Sequence, residues 1–465
     1  MSDYIQSYIE RARAAQAESE RWTQEDADRA VEAIARAVYE NAEELARLAV
    51  DETGMGVYED KVAKNRNKAR LILADLEGKP SVGVIARRSE TGVTEIAKPV
   101  GVVAAITPVT NPIVTPMSNA MFALKGRNAI VVTPHHGAVR SSARTVELMN
   151  RNLQAIGAPT HIVQIIAEHS RENTRELISS ADVVIATGGM GMVKAAYSSG
   201  KPALGVGTGN VQCIVDRDAD IDAVIPMIVA GRVFDNGIIC SAEQSIVFPA
   251  EKEDEVIKTL ARNGVVTLPR KGALVSALRD ALFTGDGMNR RLVGQSARTV
   301  AEAAGIPDLG LAIPEDTKVV ALFADGPGAA DKLSGEKMCP ILALYPYETF
   351  EEAVDIAKTN LEYEGKGHSA SIHSSDEAHI EYAGLALPVS RLLVNQTSAM
   401  NAGGSEYNGL ALTNTLGCGS WGGNSISENL TYKHLINISR IAERLPASRF
   451  PDSVPDATHR GGKTR

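Results

Sequence analysis

The sequence predicts an α/β protein with two doubly wound domains and a projecting β-arm. Three observations carry this expectation. From Val100 onward, short β-rich runs alternate with helical stretches; the alternation restarts after Cys240; and "ARRSETGVTEIAKP" (86–99) reads as a polar hairpin standing off the body. Strand–helix alternation implies parallel strands joined by crossover helices. At 465 residues the chain is too long for one compact core and suits two or three domains.

Two helices open the chain. The second starts near Thr23, where "TQED" resembles a capping box with Asp26 in place of the usual glutamate. Ala27, Val31, Ile34, Ala35 and Val38 then recur at helical spacing. Buried strands are expected at "VGVVAAI" (100–106), "AIVVT" (129–133), "HIVQII" (161–166), "DVVIAT" (182–187) and "VQCIVD" (211–216), with helices at 138–156 and 221–233. The second α/β unit is expected from residue 235, with strands at 244–248, 318–323, 340–347 and 391–395 and helices at 251–262 and 350–360. Cys240 then sits at the first turn of that unit, facing the seam, where ligands of such folds bind. The tail 450–465 has too little apolar surface to pack and is expected to be mobile.

Bulk properties exclude several classes. The formal net charge of -9 argues against general nucleic-acid binding, which needs a basic face. The N-terminus lacks the apolar core of a secretion signal, and runs such as Val100–Ile106 are too short for a bilayer. Cys213, Cys240, Cys339 and Cys418 are widely spaced, as expected of reduced cytoplasmic thiols rather than a disulfide framework. No His/Cys set has metal-ligand spacing, so no metal is expected.

Read from the residues alone, the candidate chemistry keeps two sides. Cys240 in "FDNGIICSAEQSIV" (234–247) is a nucleophile or one more buried thiol. Asn111 in "TPVTNPIVTP" (107–116) is an oxyanion donor or the cap of the next helix. "ATGGMGMVKAAYSSG" (186–200) follows a strand and opens a helix, but Lys194 stands where a dinucleotide fingerprint has its third glycine. It is a nucleotide turn or merely a tight turn.

Six ordered stretches go further: "TNPIVTPMSNAM", "ATGGMGMVKAAYSSGKPALGVGTGN", "FDNGIICSAEQS", "EKMCPILAL", "GKGHSASIH" and "TLGCGSWGGNSISENLTYKHLINISRIA". Through them the chain resembles the aldehyde dehydrogenase superfamily, in its CoA-acylating branch, over nearly its whole length. The resemblance implies an aldehyde dehydrogenase-like fold: 1–85 with 100–234 binding the nicotinamide cofactor, 235–424 carrying the catalytic cysteine, and 86–99 with 425–440 forming an oligomerisation arm. It makes Cys240 the nucleophile and Asn111 the oxyanion donor. NADP, or NAD, would be bound by Thr107, Pro108, Thr133, His135, His136, Arg140, Thr187, Gly188, Gly189, Val193, Gly207, Glu336 and His368. Glu336 would hold the nicotinamide ribose, while His136 and Arg140 would favour NADP. Ile239, Ser241, Thr397, Ser398 and Ser405 would contact substrate.

Hydrolytic relatives carry a glutamate in a turn that here reads "GVGTGN", without a carboxylate. Water would then be a poor nucleophile towards an enzyme thioester, whereas a CoA thiolate needs little activation. "MGVYEDKVAK" and "NQTSAMNAGGSEYNG" are most like acylating succinate-semialdehyde and sulfoacetaldehyde dehydrogenases, which implies a small anionic aldehyde bound by the neutral donors of 396–409. Arg391 is discounted. A cytoplasmic homodimer or homotetramer is expected. The competing readings are an acylating acetaldehyde or propanal dehydrogenase, a hydrolytic aldehyde dehydrogenase, and a non-catalytic assembly subunit.

Overall fold

The structure, a computed structural model, describes residues 2–446 and 448, except 169, 286 and 306–312. The expected tail, 450–465, lies outside the described residues. Four helices open the chain: α1 (Asp3–Ser19), α2 (Gln24–Glu40), α3 (Ala42–Thr53) and α4 (Tyr58–Leu76). Thr23 and Asp26 form the reciprocal capping box at the start of α2, and Ala27, Val31, Ile34, Ala35 and Val38 make up much of its buried face. The buried face of α4 is different in kind. Alongside Ala69, Ile72 and Leu76 it carries Lys61, Lys64 and Asn65. Buried lysines need partners, and Lys61 and Lys64 find theirs in Asp235, five residues before Cys240.

The hairpin β1 (Gly83–Arg88) and β2 (Val93–Pro99) follows, beginning three residues before the expected start. Then come β3 (Val102–Ile106), α5 (Val114–Lys125), β4 (Ala129–Thr133), α6 (Val139–Ala155), β5 (Val163–Ile165), α7 (Arg171–Ser180), β6 (Val183–Thr187), α8 (Met190–Tyr197) and β7 (Ala203–Val206). These five strands form one parallel sheet in the order β5-β4-β3-β6-β7. The chain reverses direction across the sheet between β3 and β6, and a crevice opens beyond their carboxyl ends.

The second sheet holds seven parallel strands, drawn from β8 (Val211–Val215), β9 (Glu243–Pro249), β10 (Val265–Thr267), β13 (Val319–Phe323), β14 (Ile341–Tyr347), β15 (Gly367–His373) and β16 (Val389–Val394). A two-stranded hairpin, β11 (Phe283–Thr284) and β12 (Gly287–Met288), sits outside it. The order is β10-β13-β14-β9-β8-β15-β16. Along β14, Ile341, Ala343 and Tyr345 pack into one core while Leu342 and Leu344 pack into another, so both faces are covered.

Sheet membership corrects one expectation. The strand at 211–216 was assigned to the first unit, with the second starting at 235. Instead β8 pairs with β9 and β15, so the chain changes sheets at the turn 207–210. Periodicity shows that a strand is buried, not which sheet accepts it. A further difference follows from strand direction. Cys240 precedes β9, so the thiol stands at the amino end of its sheet, opposite the carboxyl ends of the first. Last, β17 (Ile436–Ala442) pairs antiparallel with β2 to complete the three-stranded arm β1-β2-β17.

Candidate active site

Cys240 is delivered by a turn that α4 grips. Asp235 and Asn236 both adopt left-handed backbone, with φ of 52° and 53°. Such residues are strained unless their surroundings hold them. Asp235 is fully buried and its carboxylate takes Lys64 Nζ at 2.6 Å, Lys61 Nζ at 3.1 Å and the Val57 amide at 2.9 Å, while its own amide donates to Asp60 at 2.7 Å. Burial alone would raise the Asp235 carboxyl, but Lys64 and Lys61 bring it below its ordinary range. On the other side, Gly209 abuts Cys240: a Cβ there would lie 1.8 Å from the Cys240 carbonyl oxygen. Only glycine fits at that position.

Asn111 reaches the same cluster. Lys64 Nζ donates to Asn111 Oδ1 at 2.8 Å. An ammonium can only donate, so the amide oxygen must face Lys64 and Nδ2 is left to donate elsewhere. Capping of the next helix is not what this side chain does; α5 has no side-chain cap bond.

Cys240 is half-buried, whereas Cys213, Cys339 and Cys418 are buried. Burial, then the Glu336 carboxylate, push its thiol up to about 12, with Arg391 opposing them. Burial and the nearby Glu364 in turn push Glu336 up to about 8, against a bond from the Gly209 amide. Glu336 therefore lies beside both the thiol and the 207–210 turn. His368 is buried, its Nδ1 is 3.1 Å from Ser369 Oγ, and its Nε2 has no hydrogen-bond partner among the described residues. Burial, then Arg391, hold it down to about 3, so the ring stays neutral. Arg391 is consumed structurally: it donates to the carbonyls of His368 at 2.8 Å and Gly417 at 2.7 Å, and to Asn429 Oδ1 at 3.1 Å.

Apart from Glu336 and His368, the expected cofactor residues lie at or beyond the carboxyl ends of the first sheet. The Thr107 amide donates to Thr133 O at 3.1 Å, and the buried Thr107 Oγ1 has no partner among the described residues. Pro108 follows it. Gly188 and Gly189 lead into α8, and a Cβ on either would meet nothing within 4 Å. A glycine cradle at a helix N-terminus, with an orphaned hydroxyl across the crevice, suits a dinucleotide. Other expected contacts are already engaged. Thr133 Oγ1 pairs with Thr174, Thr187 Oγ1 with Thr415, and Val193 packs where a Gly205 side chain would go. His135 Nδ1 accepts from the Gly137 amide at 3.1 Å. The side chains of His136 and Arg140 are exposed, but Glu52 takes the Arg140 and Ser141 amides, both at 2.7 Å. A carboxylate thus occupies the start of α6. Gly207 lies in the turn between the sheets, its amide directed to Cys418.

The 396–409 loop, expected to contact substrate, is tied to the Cys240 segment. Ser241 Oγ donates to Ala399 O at 3.2 Å, and the Ser398 amide donates to Glu243 Oε1 at 2.6 Å. Glu243 is buried at the start of β9, as a structural role requires. Ile239 is half-buried beside Cys240. Many donors expected to meet substrate are spent inside the loop: Asn401 Nδ2 on Thr397, and the Gly404 amide on Asn401 O. Ser405 Oγ accepts from the Tyr407 amide at 3.2 Å. The sequence reading missed Lys61, Lys64, Lys68, Asp235 and Glu52. A signal was present in "DKVAKNRNK", whose lysines at 61, 64 and 68 share one helical face.

Among the described residues, no group of three or more His, Cys, Asp and Glu side chains is arranged to hold a metal ion, and no helix is long and apolar enough to cross a membrane.

Comparison with known proteins agrees with this arrangement. Residues 2–269 match the aldehyde dehydrogenase family. The succinate-semialdehyde dehydrogenase (acetylating) of Clostridium kluyveri is 53% identical over 94% of this chain and 95% of its own. The sulfoacetaldehyde dehydrogenase of an Acholeplasma species is 39% identical over 96% and 92%. The crystal structure of an acetylating aldehyde dehydrogenase from Geobacillus thermoglucosidasius superposes with a TM-score of 0.91 at 37% identity, covering 96% of this chain and 98% of that one. The chain belongs to the aldehyde dehydrogenase family, a family of oxidoreductases, and stands with its acylating members.

Proposed function

We propose that this protein oxidises a short anionic aldehyde to its CoA thioester with NADP or NAD, and catalyses the reverse reduction. The observation that carries the reading is the pairing of a half-buried Cys240 with an Asn111 amide whose donor end Lys64 leaves free. The thiolate form of Cys240, its proton lost to solvent, attacks the aldehyde carbon, and the new oxyanion is held by Asn111 Nδ2 and the Cys240 amide. When bound, nicotinamide supplies the hydride acceptor. Loss of hydride from the tetrahedral carbon re-forms the carbonyl as a thioester on Cys240. The carbonyl then accepts the CoA thiolate, and Cys240 leaves as the thiolate. Glu336, beside Gly209 and the thiol, is suited to the nicotinamide ribose hydroxyls.

Three lines support the finer assignment. The 207–210 turn contains no carboxylate to activate water, which favours thiolysis. Solved relatives carry the matching ligands: a Rhodopseudomonas palustris propionaldehyde dehydrogenase with bound propionyl-CoA (29% identity, TM-score 0.83), and an engineered glycolyl-CoA reductase with bound NADP+ (30%, 0.83). The higher identity to the succinate-semialdehyde enzyme favours a carboxylate over a sulfonate substrate. His136 and Arg140 suit a 2′-phosphate, and Glu52 limits that preference. Association of copies into a dimer or tetramer is assigned to the arm, whose Val84, Ile438 and Ile441 are exposed. The test is nicotinamide reduction across a panel of aldehydes, with and without CoA. The expected result is CoA-dependent turnover and at least about tenfold preference for the anionic aldehydes over butanal, a difference of ~1.4 kcal/mol in transition-state binding.

A further inference from the structure

A pocket that selects an anion needs a source of positive charge or of unspent donors. The 396–409 loop offers no positive charge and few unspent donors, Ser398 Oγ being buried without a partner among the described residues. Its Asn401 amide, its Gly404 N–H and its Ser398 N–H are all committed within the protein. Its acidic residue, Glu406, pairs outward with Arg70 at 3.0 Å. Arg391 is spent on backbone carbonyls. The charge must come from elsewhere.

Helix α4 carries it. Lys61, Lys64 and Lys68 lie on one face, and Asp235 forms ion pairs with the first two. Lys68, half-buried, reaches the carbonyls of Gly403 at 3.4 Å and Thr413 at 3.3 Å. Both contacts are long for an ammonium, and no carboxylate lies within 4.0 Å of it among the described residues. Burial, then Lys64, hold its ammonium down to about 8, the mark of an uncompensated charge.

Its position links the nucleophile to the oxyanion donor. From Cys240, Ser241 Oγ reaches Ala399; the chain then runs through helix Ser398–Asn401 to Gly403 and Lys68. Lys68 also holds Thr413, and the neighbouring Asn414 Nδ2 donates to Val114 O at 3.0 Å, three residues beyond Asn111. Asn111 returns to α4 through Lys64. Lys64 and Lys68 are about one turn apart, about 6 Å of rise and comparable to the tail of a short aldehyde.

We infer that Lys68 recognises the charged end of the substrate, and that selectivity for a carboxylate- or sulfonate-bearing aldehyde rests on this ammonium rather than on the loop donors. The inference builds on the proposed substrate class. The full-length enzyme is compared with Lys68→Met and Lys68→Arg at saturating CoA and NADP, on succinate semialdehyde, sulfoacetaldehyde and butanal. In Lys68→Met the ratio of kcat/KM for succinate semialdehyde over butanal should fall about 30-fold, the scale of one charge-assisted hydrogen bond, and mainly through KM. Lys68→Arg should recover much of it. Succinate should also weaken as a competitive inhibitor of Lys68→Met. An equal fall for both aldehydes would make Lys68 a prop for the loop, and an unchanged ratio would remove it from recognition; either overturns the inference while the substrate reading stands. A wild-type enzyme that prefers butanal would instead overturn the substrate reading, and the inference with it.

Discussion

Asn111 depends on a neighbour for its chemistry. An asparagine amide offers both a donor and an acceptor, and the Lys64 contact at 2.8 Å decides which end is left to donate. Replacing Lys64 with Met should therefore lower kcat by about 10- to 100-fold, approaching the cost of losing an oxyanion donor. It should cost little more in an Asn111→Ala background, because the two residues act as one unit; additive losses would refute the coupling. Cys240 makes a second prediction. Its thiol, raised to about 12 by burial and by Glu336, is mostly protonated at neutral pH. Below that value, each unit rise in pH raises the thiolate fraction about tenfold. Iodoacetamide inactivation of the cofactor-free enzyme should accelerate steadily from pH 7 to about 9.5, and a plateau near pH 8 would contradict the assigned environment.

Among the elements, α4 and α6 bear most on function, and neither was legible as such. Helix α4 reads as a polar helix: the shared face of Lys61, Lys64 and Lys68 is visible in its spacing, but not that this face turns inward to Asp235. Helix α6 was read for His136 and Arg140 at its start, yet its first amides are taken by Glu52 from α3. A carboxylate at a helix N-terminus satisfies the same donors a phosphate would use. Replacing Glu52 with Gln should raise the ratio of kcat/KM for NADP over NAD about fivefold, the effect of ~1 kcal/mol at a helix end. An unchanged ratio in a direct comparison would mean that the adenosine phosphate lies elsewhere. The strands were easier to read. β4 and α9 (Ile221–Val233) match their expected bounds, because continuous apolar runs and Asp220 at a helix start are local signals.

Across the whole molecule, the candidate site is a seam between the carboxyl ends of one sheet and the amino ends of the other. Local pattern predicted both sheets, but β8 had to be seen paired with β9 and β15 before the division at 207–210 was apparent. The same holds for the site. Cys240, Asn111 and Glu336 are candidates through short stretches that resemble a family, whereas Lys64, Lys68 and Glu52 contact residues more than forty, three hundred and eighty positions away. Contacts of that span leave no spacing in the sequence to read. The central claim is that a Cys240 thioester is released to CoA and not to water. The most direct measurement follows nicotinamide reduction with succinate semialdehyde, with CoA added or withheld. The account predicts sustained turnover with CoA, and without it at most a single-turnover burst. Sustained turnover to the free acid without CoA would contradict it.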